Sequence, residues 1–433
     1  MLIPLNVLQI ILFFSLFITF LGYILRWVFP VNIEIWLGVL FLFTLYLIAK
    51  RGYQSISVPV RLWLGLMALF WSFNVLSALF HDSDIGYRTL SLISTYSTIL
   101  GFASVAVAIS VLKPKIDFFW YLIAAGAIGV LLAFGLELKN VGWGALEQGH
   151  RFGGYTSQQI SFGVFANTFF IILLGSFVWA FNKGHLFFLV WLLLIIADFC
   201  MIIVSQSRNA WLGLPEAVIV WSVYYGFKLY QSDVSFIKKL IVAISPIVVV
   251  MLLFSMQPLK KIVEQRVGLA VTGVENYVSR ESFYGSVGAR LMMYEAGFSG
   301  IKEHFWFGMG TENFPSFVKQ ETKQIALEKF EKKFGGYQFS SIHNQFLMSW
   351  LIHGVFAFII VLSFFVFMFV YFYRGLKRSP EDDKPIWVAG LVYSLATFIS
   401  FLPESMLHSL YNFSHFFMVS SILIAYTSTL NRS

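Results

Sequence analysis

Apolar runs of about twenty residues recur along this chain, and that pattern restricts its fold more than any motif does. Each run is long enough to cross ~30 Å of hydrocarbon as a helix rising about 1.5 Å per residue. Inside hydrocarbon every backbone N–H and C=O must find its partner within the protein, so repeated runs of this length mean a bundle of membrane-spanning α-helices. Charge content agrees. Of 433 residues 58% are hydrophobic and 12% charged, and mean hydropathy is +0.77, whereas soluble domains carry roughly 25% charge. Spans are expected near 7–29, 33–49, 60–80, 89–112, 117–136, 159–181, 186–205, 209–227, 240–256, 344–373, 386–402 and 406–430. The expected fold is all-α and polytopic, about twelve transmembrane helices with one long loop domain between helices nine and ten. The tenth span is too long for a level helix, so it starts above the membrane or tilts. No basic leader precedes the first run and no small-residue cleavage site follows it, so it reads as a retained span.

Basic residues orient the bundle. With the N-terminus in the cytoplasm, inner loops and tail hold fourteen Lys and Arg and short outer loops five, the long segment carrying the other eleven of thirty. Long translocated segments weigh little in the positive-inside rule, so fourteen against five decides the matter. Both termini are then cytoplasmic and the long segment external, with Arg26, placed outside, the one local dissent from an alternation that holds at every later loop. Three blocks follow: residues 1–256 with spans one to nine, 257–343 as the external loop domain, and 344–433 with the last three spans. The formal charge of +8 belongs to these basic loops and not to a nucleic-acid partner. A single cysteine, Cys200, leaves no intrachain disulfide and no cysteine metal cage. The absence of internal repeats and of matching Gly/Pro breaks argues against a transporter built from related halves.

The long segment holds most of the chain outside the bilayer. Residues 286–302 show helical periodicity, with Ser286 as the expected N-cap. Residues 317–334 form a charged amphipathic helix with a Glu328–Lys332 pair at i,i+4, expected to lie solvated on the membrane surface. Asp198 and Glu216, inside spans, are expected to face the bundle interior and pair with another helix.

A few polar residues call for chemistry. Arg208 ends the cluster Ser205-Gln206-Ser207-Arg208 at an outer surface, where the matching ends of other spans mostly lack polar groups. Arg290 stands in the opening turns of a helix, against the macrodipole, so stability does not explain it. A helix N-terminus with an arginine is instead a cradle for phosphate or an oxyanion. His343 and Asn344 begin a span at the same surface. Two arginines and a histidine on one face make a phosphate-binding site with a general base. Glu404, between the last two spans, and His150-Arg151, in the loop 137–158, are on the correct face to join it. Neither His-x-x-x-His nor Walker spacing appears, so no metal, nucleotide or other cofactor is expected.

These residues carry a resemblance. Ser-x-Ser-Arg208-Asn-Ala-Trp-Leu212, then Ser286-Val-Gly-Ala-Arg290-Leu-Met-Met-Tyr294-Glu295, then His343-Asn344 with nine residues before Gly354, resemble the O-antigen ligase family of bacterial inner membranes. Order, span number and the long loop before His-Asn match over most of the chain. One departure is Ala357, where the family usually has Gly, Thr or Tyr; it bears on the choice between ligase and polymerase, which share this plan. The resemblance implies a multi-pass inner-membrane glycosyltransferase with its site on the periplasmic side. O-antigen would pass from undecaprenyl pyrophosphate to a hydroxyl of lipid A–core, without cofactor and with inversion. It implies that Arg208 and Arg290, with Arg280 in reserve, bind pyrophosphate, that His343 is the base, and that Asn344, Glu404 and Tyr294 support them. An O-antigen polymerase and a polysaccharide or lipid transporter are the alternatives.

Overall fold

The computed structural model describes residues 7–9, 11–12, 15, 33–81, 86–148, 150–154, 158–230, 257–330 and 339–430. The expected first span, apart from six residues, and the whole of the ninth lie outside them. Among the described residues the chain is helical throughout, with no strand. In order come α1 (Ile33–Arg51), α2 (Val58–His81), α3 (Tyr87–Ser97), α4 (Ile99–Leu112), α5 (Ile116–Val141), the single turn α6 (Gly144–Glu147), α7 (Gln159–Leu173), α8 (Phe177–Asn182), α9 (His185–Val204) and α10 (Arg208–Tyr230). After the undescribed stretch follow α11 (Gln257–Val278), α12 (Ser286–Glu303), α13 (Phe314–Phe330), α14 (Gln345–His353), α15 (Val355–Arg378), α16 (Lys384–Phe401) and α17 (Leu410–Leu430). Among the described residues eight stretches are long and apolar enough to cross a membrane: α2, α3 with α4, α5, α7 with α8, α9, α15, α16 and α17. The protein is thus a multi-pass helical membrane protein. The expected spans at 33–49 and 209–227 are helical as α1 and α10, though neither joins those eight.

Helix α17 is the hub. Every residue from Asn412 to Ser428 is buried, as befits a helix that presents no polar face to water. Its small hydroxyl residues let neighbours come close. Ser57 Oγ donates to Ser428 Oγ at 2.8 Å and Trp63 Nε1 to Ser421 Oγ at 3.0 Å. Between these contacts Trp63, Phe70, Phe364, Phe413 and Phe417 interleave, with ring centroids 4.7–6.2 Å apart in tilted or edge-on pairs, the geometry that aromatic quadrupoles favour.

The expected tenth span is two helices. Gly354 takes φ +87° and separates α14 from α15. A Cβ there would lie 2.0 Å from the Trp306 carbonyl oxygen, because the turn at 305–307 packs into the break and Phe305 O accepts from Val355 N at 3.0 Å. Helix α14 therefore packs with the extramembrane segment: Met348, Leu351 and Ile352 share an apolar cluster with Ile301, Met309, Phe314, Val318 and Ile342.

That cluster also corrects the reading of the amphipathic helix. In α13 the residues Phe314, Val318, Ile325, Ala326 and Phe330 are buried in protein, against α11, α12 and α14, rather than laid on lipid. A three-sided protein seat hides this face more completely than a membrane surface would. Lys332 and Phe334 lie outside the described residues, and Glu328 accepts from Gln324 Nε2 at 2.8 Å. Asp198 does face the bundle interior, fully buried, but neither carboxyl oxygen has a hydrogen-bond partner among the described residues. The expected pairing is therefore not found. Glu216 is half-buried on α10 with Oε2 likewise unpartnered.

Candidate active site at one end of the bundle

The chain turns sharply between α9 and α10, and this turn is the foundation of the site. Gln206 adopts left-handed backbone, φ +51°, uncommon for a residue with a Cβ. Local hydrogen bonds hold it there: Ser205 Oγ donates to Ile202 O at 2.7 Å and accepts from Ser207 N at 3.1 Å. Helix α7 lies directly beneath, since a Cβ on Gly163 would meet Ser205 Oγ at 2.6 Å and the Ser207 Cβ at 2.9 Å. The Gln206 side chain then bridges two distant pieces of chain. Its Nε2 donates to His150 O at 3.2 Å, and its Oε1 accepts from Arg266 Nε at 3.2 Å and Nη2 at 2.7 Å. Two residues on, Arg208 Nη1 donates to Ser286 Oγ at 2.8 Å.

Ser286 is not the N-cap of α12. Gly285 occupies that position with φ +95°, which frees the serine hydroxyl for Arg208. One helical turn later Arg290 donates from Nη1 to Ser286 O at 3.3 Å and from Nε to Pro403 O at 3.1 Å. Arg208 and Arg290 thus meet on one residue.

The turn between α16 and α17 is clamped position by position. Tyr294 Oη lies 3.0 Å from Leu402 O and 3.2 Å from His343 O, Arg290 holds Pro403 O, and the buried Gln345 Oε1 accepts from Leu407 N at 2.7 Å. Between those anchors Glu404 presents Oε1 to His343 Nδ1 at 2.9 Å. Its other oxygen is buried without a hydrogen bond among the described residues, 3.7 Å from Arg290 Nη2. His343 sits at φ +51°, immediately before Asn344, whose Oδ1 caps α14 by accepting from Leu347 N at 3.0 Å. The carboxylate is 12% exposed and the imidazole 37%. A proton on Nδ1 facing the carboxylate leaves Nε2 with a lone pair.

Four guanidiniums stand close enough to feel one another. Burial pulls the Arg151 pKa down, and the charges of Arg266, Arg208 and Arg290 add to that pull. Burial lowers the pKa of Arg266 as well. Nε of both Arg151 and Arg208 is buried with no hydrogen-bond partner among the described residues. Among the described residues only Arg290 of the four faces a carboxylate. Packing cations against one another in a half-buried place is unfavourable without an anion, and a phosphate oxygen is the natural counterpart of a guanidinium fork.

The structure brings together Arg208, Arg290, Tyr294, His343, Asn344 and Glu404. It leaves out Arg280, which is exposed in left-handed backbone just after α11 and acts electrostatically on Glu295 instead. His150 reaches the margin: its Nε2 lies 3.1 Å from Glu137 Oε1, and Glu137 Oε2 accepts from Gly153 N at 2.9 Å, which fixes the loop carrying Arg151. Arg266 was not foreseen from the sequence. It lies within a mixed charged run, and no local signal in the sequence sets it apart. Among the described residues no group of three or more His, Cys, Asp or Glu is placed to hold a metal ion; Asp82 and Asp84, an Asp-x-Asp pair, lie outside the described residues.

Comparison with known proteins adds two findings. The chain is 28% identical, over 253 residues, to a protein of Haemophilus influenzae (strain ATCC 51907 / DSM 11121 / KW20 / Rd) named only as uncharacterized; the match covers 58% of this chain and 59% of that one. Residues 188–362 match the family model described as O-Antigen ligase. The matched part contains Arg208, Arg266, Arg290, Tyr294, His343 and Asn344, while Arg151 and Glu404 fall on either side of it. Residues 188–362, less than half of the chain, are thus similar to the O-antigen ligase family.

Proposed function

We propose that this protein is a glycosyltransferase that moves a glycan from a lipid-linked diphosphate to a sugar hydroxyl at the periplasmic face of the bacterial inner membrane. The observation that carries the reading is the contact of Glu404 with both His343 (2.9 Å) and Arg290 (3.7 Å), which joins a base to a group of phosphate-binding cations. The donor is undecaprenyl-pyrophosphate-linked O-antigen. Arg208 and Arg290 hold its diphosphate and neutralise the charge that grows as the bond from the anomeric carbon to the phosphate oxygen breaks. Nε2 of His343 takes the proton of the acceptor hydroxyl while that oxygen bonds to the anomeric carbon; Glu404 keeps the imidazole oriented and stabilises its cation. A single displacement inverts the anomeric centre. The lipid diphosphate leaves, and His343 returns its proton to water.

Two acceptors fit this chemistry, lipid A–core for a ligase and a second lipid-linked glycan for a polymerase. Similarity of residues 188–362 to the O-antigen ligase family supports the shared reaction, and Ala357, at a position where ligases usually differ, keeps the polymerase in view. Purified protein supplied with the lipid-linked donor and, in separate arms, lipid A–core or further donor would distinguish them. The proposal expects one arm to give product and His343→Ala to give almost none. Failure of both arms with folded protein, or full activity of His343→Ala, would remove it.

A further inference from the structure

We propose that the extramembrane segment between α12 and α13 contacts the bilayer through one turn, residues 305–307, whose Trp306 and Phe307 side chains sit among the lipids beside α15. The transfer site uses neither residue, yet Trp306 is 61% exposed and Phe307 62%. Two adjoining aromatic side chains left this open call for a partner.

The backbone of the turn is clamped to α14. Trp350 Nε1 donates to Phe305 O at 3.0 Å, Met309 N to Leu351 O at 2.9 Å and Gly310 N to Ile352 O at 3.0 Å. Two of these bonds satisfy carbonyls that the end of a helix leaves open. The two main chains lie so close that a Cβ on Gly308, at φ +76°, would stand 2.3 Å from Ile352 O. Phe305 spends its ring on Trp350, with centroids 5.2 Å apart. Trp306 and Phe307 stay outside this contact, held on a firm mount.

Their neighbour identifies the partner. The rings of Trp306 and Phe307 each lie 6.4 Å, centre to centre, from Phe356 in the first turn of α15. Phe356 heads a stripe of exposed side chains on that helix, continued by Ile359, Val366, Val370 and Tyr373. Their spacing puts them on one helical face, and on a membrane span such a face meets hydrocarbon. The 24 residues of α15 rise about 36 Å against ~30 Å of hydrocarbon, so Phe356 stands near one boundary. Trp306 and Phe307 extend the lipid-facing surface past the helix end, at the level where headgroups meet acyl chains and where aromatic rings are favoured. Helix α13, by contrast, has its apolar face taken up by protein. One turn, and not the amphipathic helix, is the segment's contact with the membrane.

The test uses full-length protein carrying Cys200→Ala, which removes the only cysteine. It is spin-labelled through Phe307→Cys or, separately, through Lys323→Cys at an exposed position of α13, and reconstituted in phosphatidylethanolamine–phosphatidylglycerol liposomes. Collision with oxygen, which concentrates in hydrocarbon, is compared with collision with a water-soluble nickel chelate. The oxygen-to-nickel ratio at 307 should exceed that at 323 several-fold. A second measurement needs no label: phospholipids brominated close to the headgroup should quench the tryptophan fluorescence of the wild type more than that of Trp306→Phe. Equal ratios at the two positions, whether both in water or both in lipid, would overturn the contact. Protection of 307 from both reagents would overturn it too, because a second copy of the chain or another protein would then cover the turn. Quenching unchanged by Trp306→Phe would place that indole away from the lipid and count equally against it.

Discussion

Two carboxylates meet cations near α12, and they are completed differently. Glu295 Oε2 accepts from Tyr277 Oη at 2.6 Å and from Lys329 Nζ at 2.8 Å, and the same ammonium lies 4.7 Å from the Tyr277 ring centre. One anion meets one paired cation and a phenol, in a place that water still reaches. Glu404 is 12% exposed, binds His343 through one oxygen, leaves the other without a hydrogen bond among the described residues, and lies 3.7 Å from Arg290. The first group ties α11, α12 and α13 together, and at 46% exposure of the carboxylate water meets whatever the ion pair leaves open. The second is buried and incomplete, which costs stability unless something else supplies the missing partners. Completeness of the polar partners, rather than the number of charges, separates a structural tie from a site here.

The comparison can be broken most directly at the base. His343→Ala should reduce glycan transfer by about 10²–10⁴-fold with the thermal midpoint unchanged, measured as product formed from lipid-linked donor beside a melting curve. Transfer within a few-fold of wild type would end the role assigned to His343. Arg290→Lys comes next. It keeps the charge but turns a fork into a point donor, and a loss of roughly 10²-fold is expected; near-normal turnover would place the leaving group elsewhere. Glu404→Gln can still accept from Nδ1 but no longer balances an imidazolium, so roughly a tenfold to hundredfold loss is expected, read from rates between pH 6 and 8.

The smallest effect belongs to the completed group. Glu295→Gln should leave transfer unaltered and cost at most about 1 kcal/mol in unfolding, as partly exposed ion pairs do. Burial raises the Glu295 carboxyl, but the hydrogen bonds from Lys329 and Tyr277 and the Lys329 charge outweigh it, so its pKa lies below the ordinary value. The folded-state pKa is thus the lower one. Its contribution is complete above the ordinary glutamate range and is lost as pH falls through the depressed value. The difference in melting midpoint between wild type and Glu295→Gln should therefore shrink on acidification below about pH 4. A difference that grew in acid would reverse the assignment.

How much of this could be read along the chain differs from residue to residue. Arg208 was legible because a polar cluster interrupts two apolar runs, and Arg290 because an arginine in an opening helical turn opposes the dipole. His343 and Asn344 stood at the head of a run, and Asn344 proves to be its cap. Arg280, the reserve candidate, is not among them, since nothing in one dimension says which way a residue after a helix end points. Arg266 gave no local signal because its partner, Gln206, is sixty positions away. The break at Gly354 was hidden too. An apolar run reads as continuous whether or not a turn from another part of the chain needs a Cβ-free contact there.

The hydropathy pattern alone determined that this is a multi-pass helical protein, because the cost of unpaired backbone in hydrocarbon acts on each run independently of the others. The presence of a polar, cationic end to the bundle was equally a local property. Which residues share that end's site was settled only in three dimensions. The bonds that build it join His150 with Gln206, Gln206 with Arg266, Arg208 with Ser286, Arg290 with Pro403 and His343 with Glu404, at separations of 56, 60, 78, 113 and 61 residues. Hydrogen bonds act over about 3 Å and depend on direction, so they are fixed by how helices pack and turn, and a linear order carries no record of that.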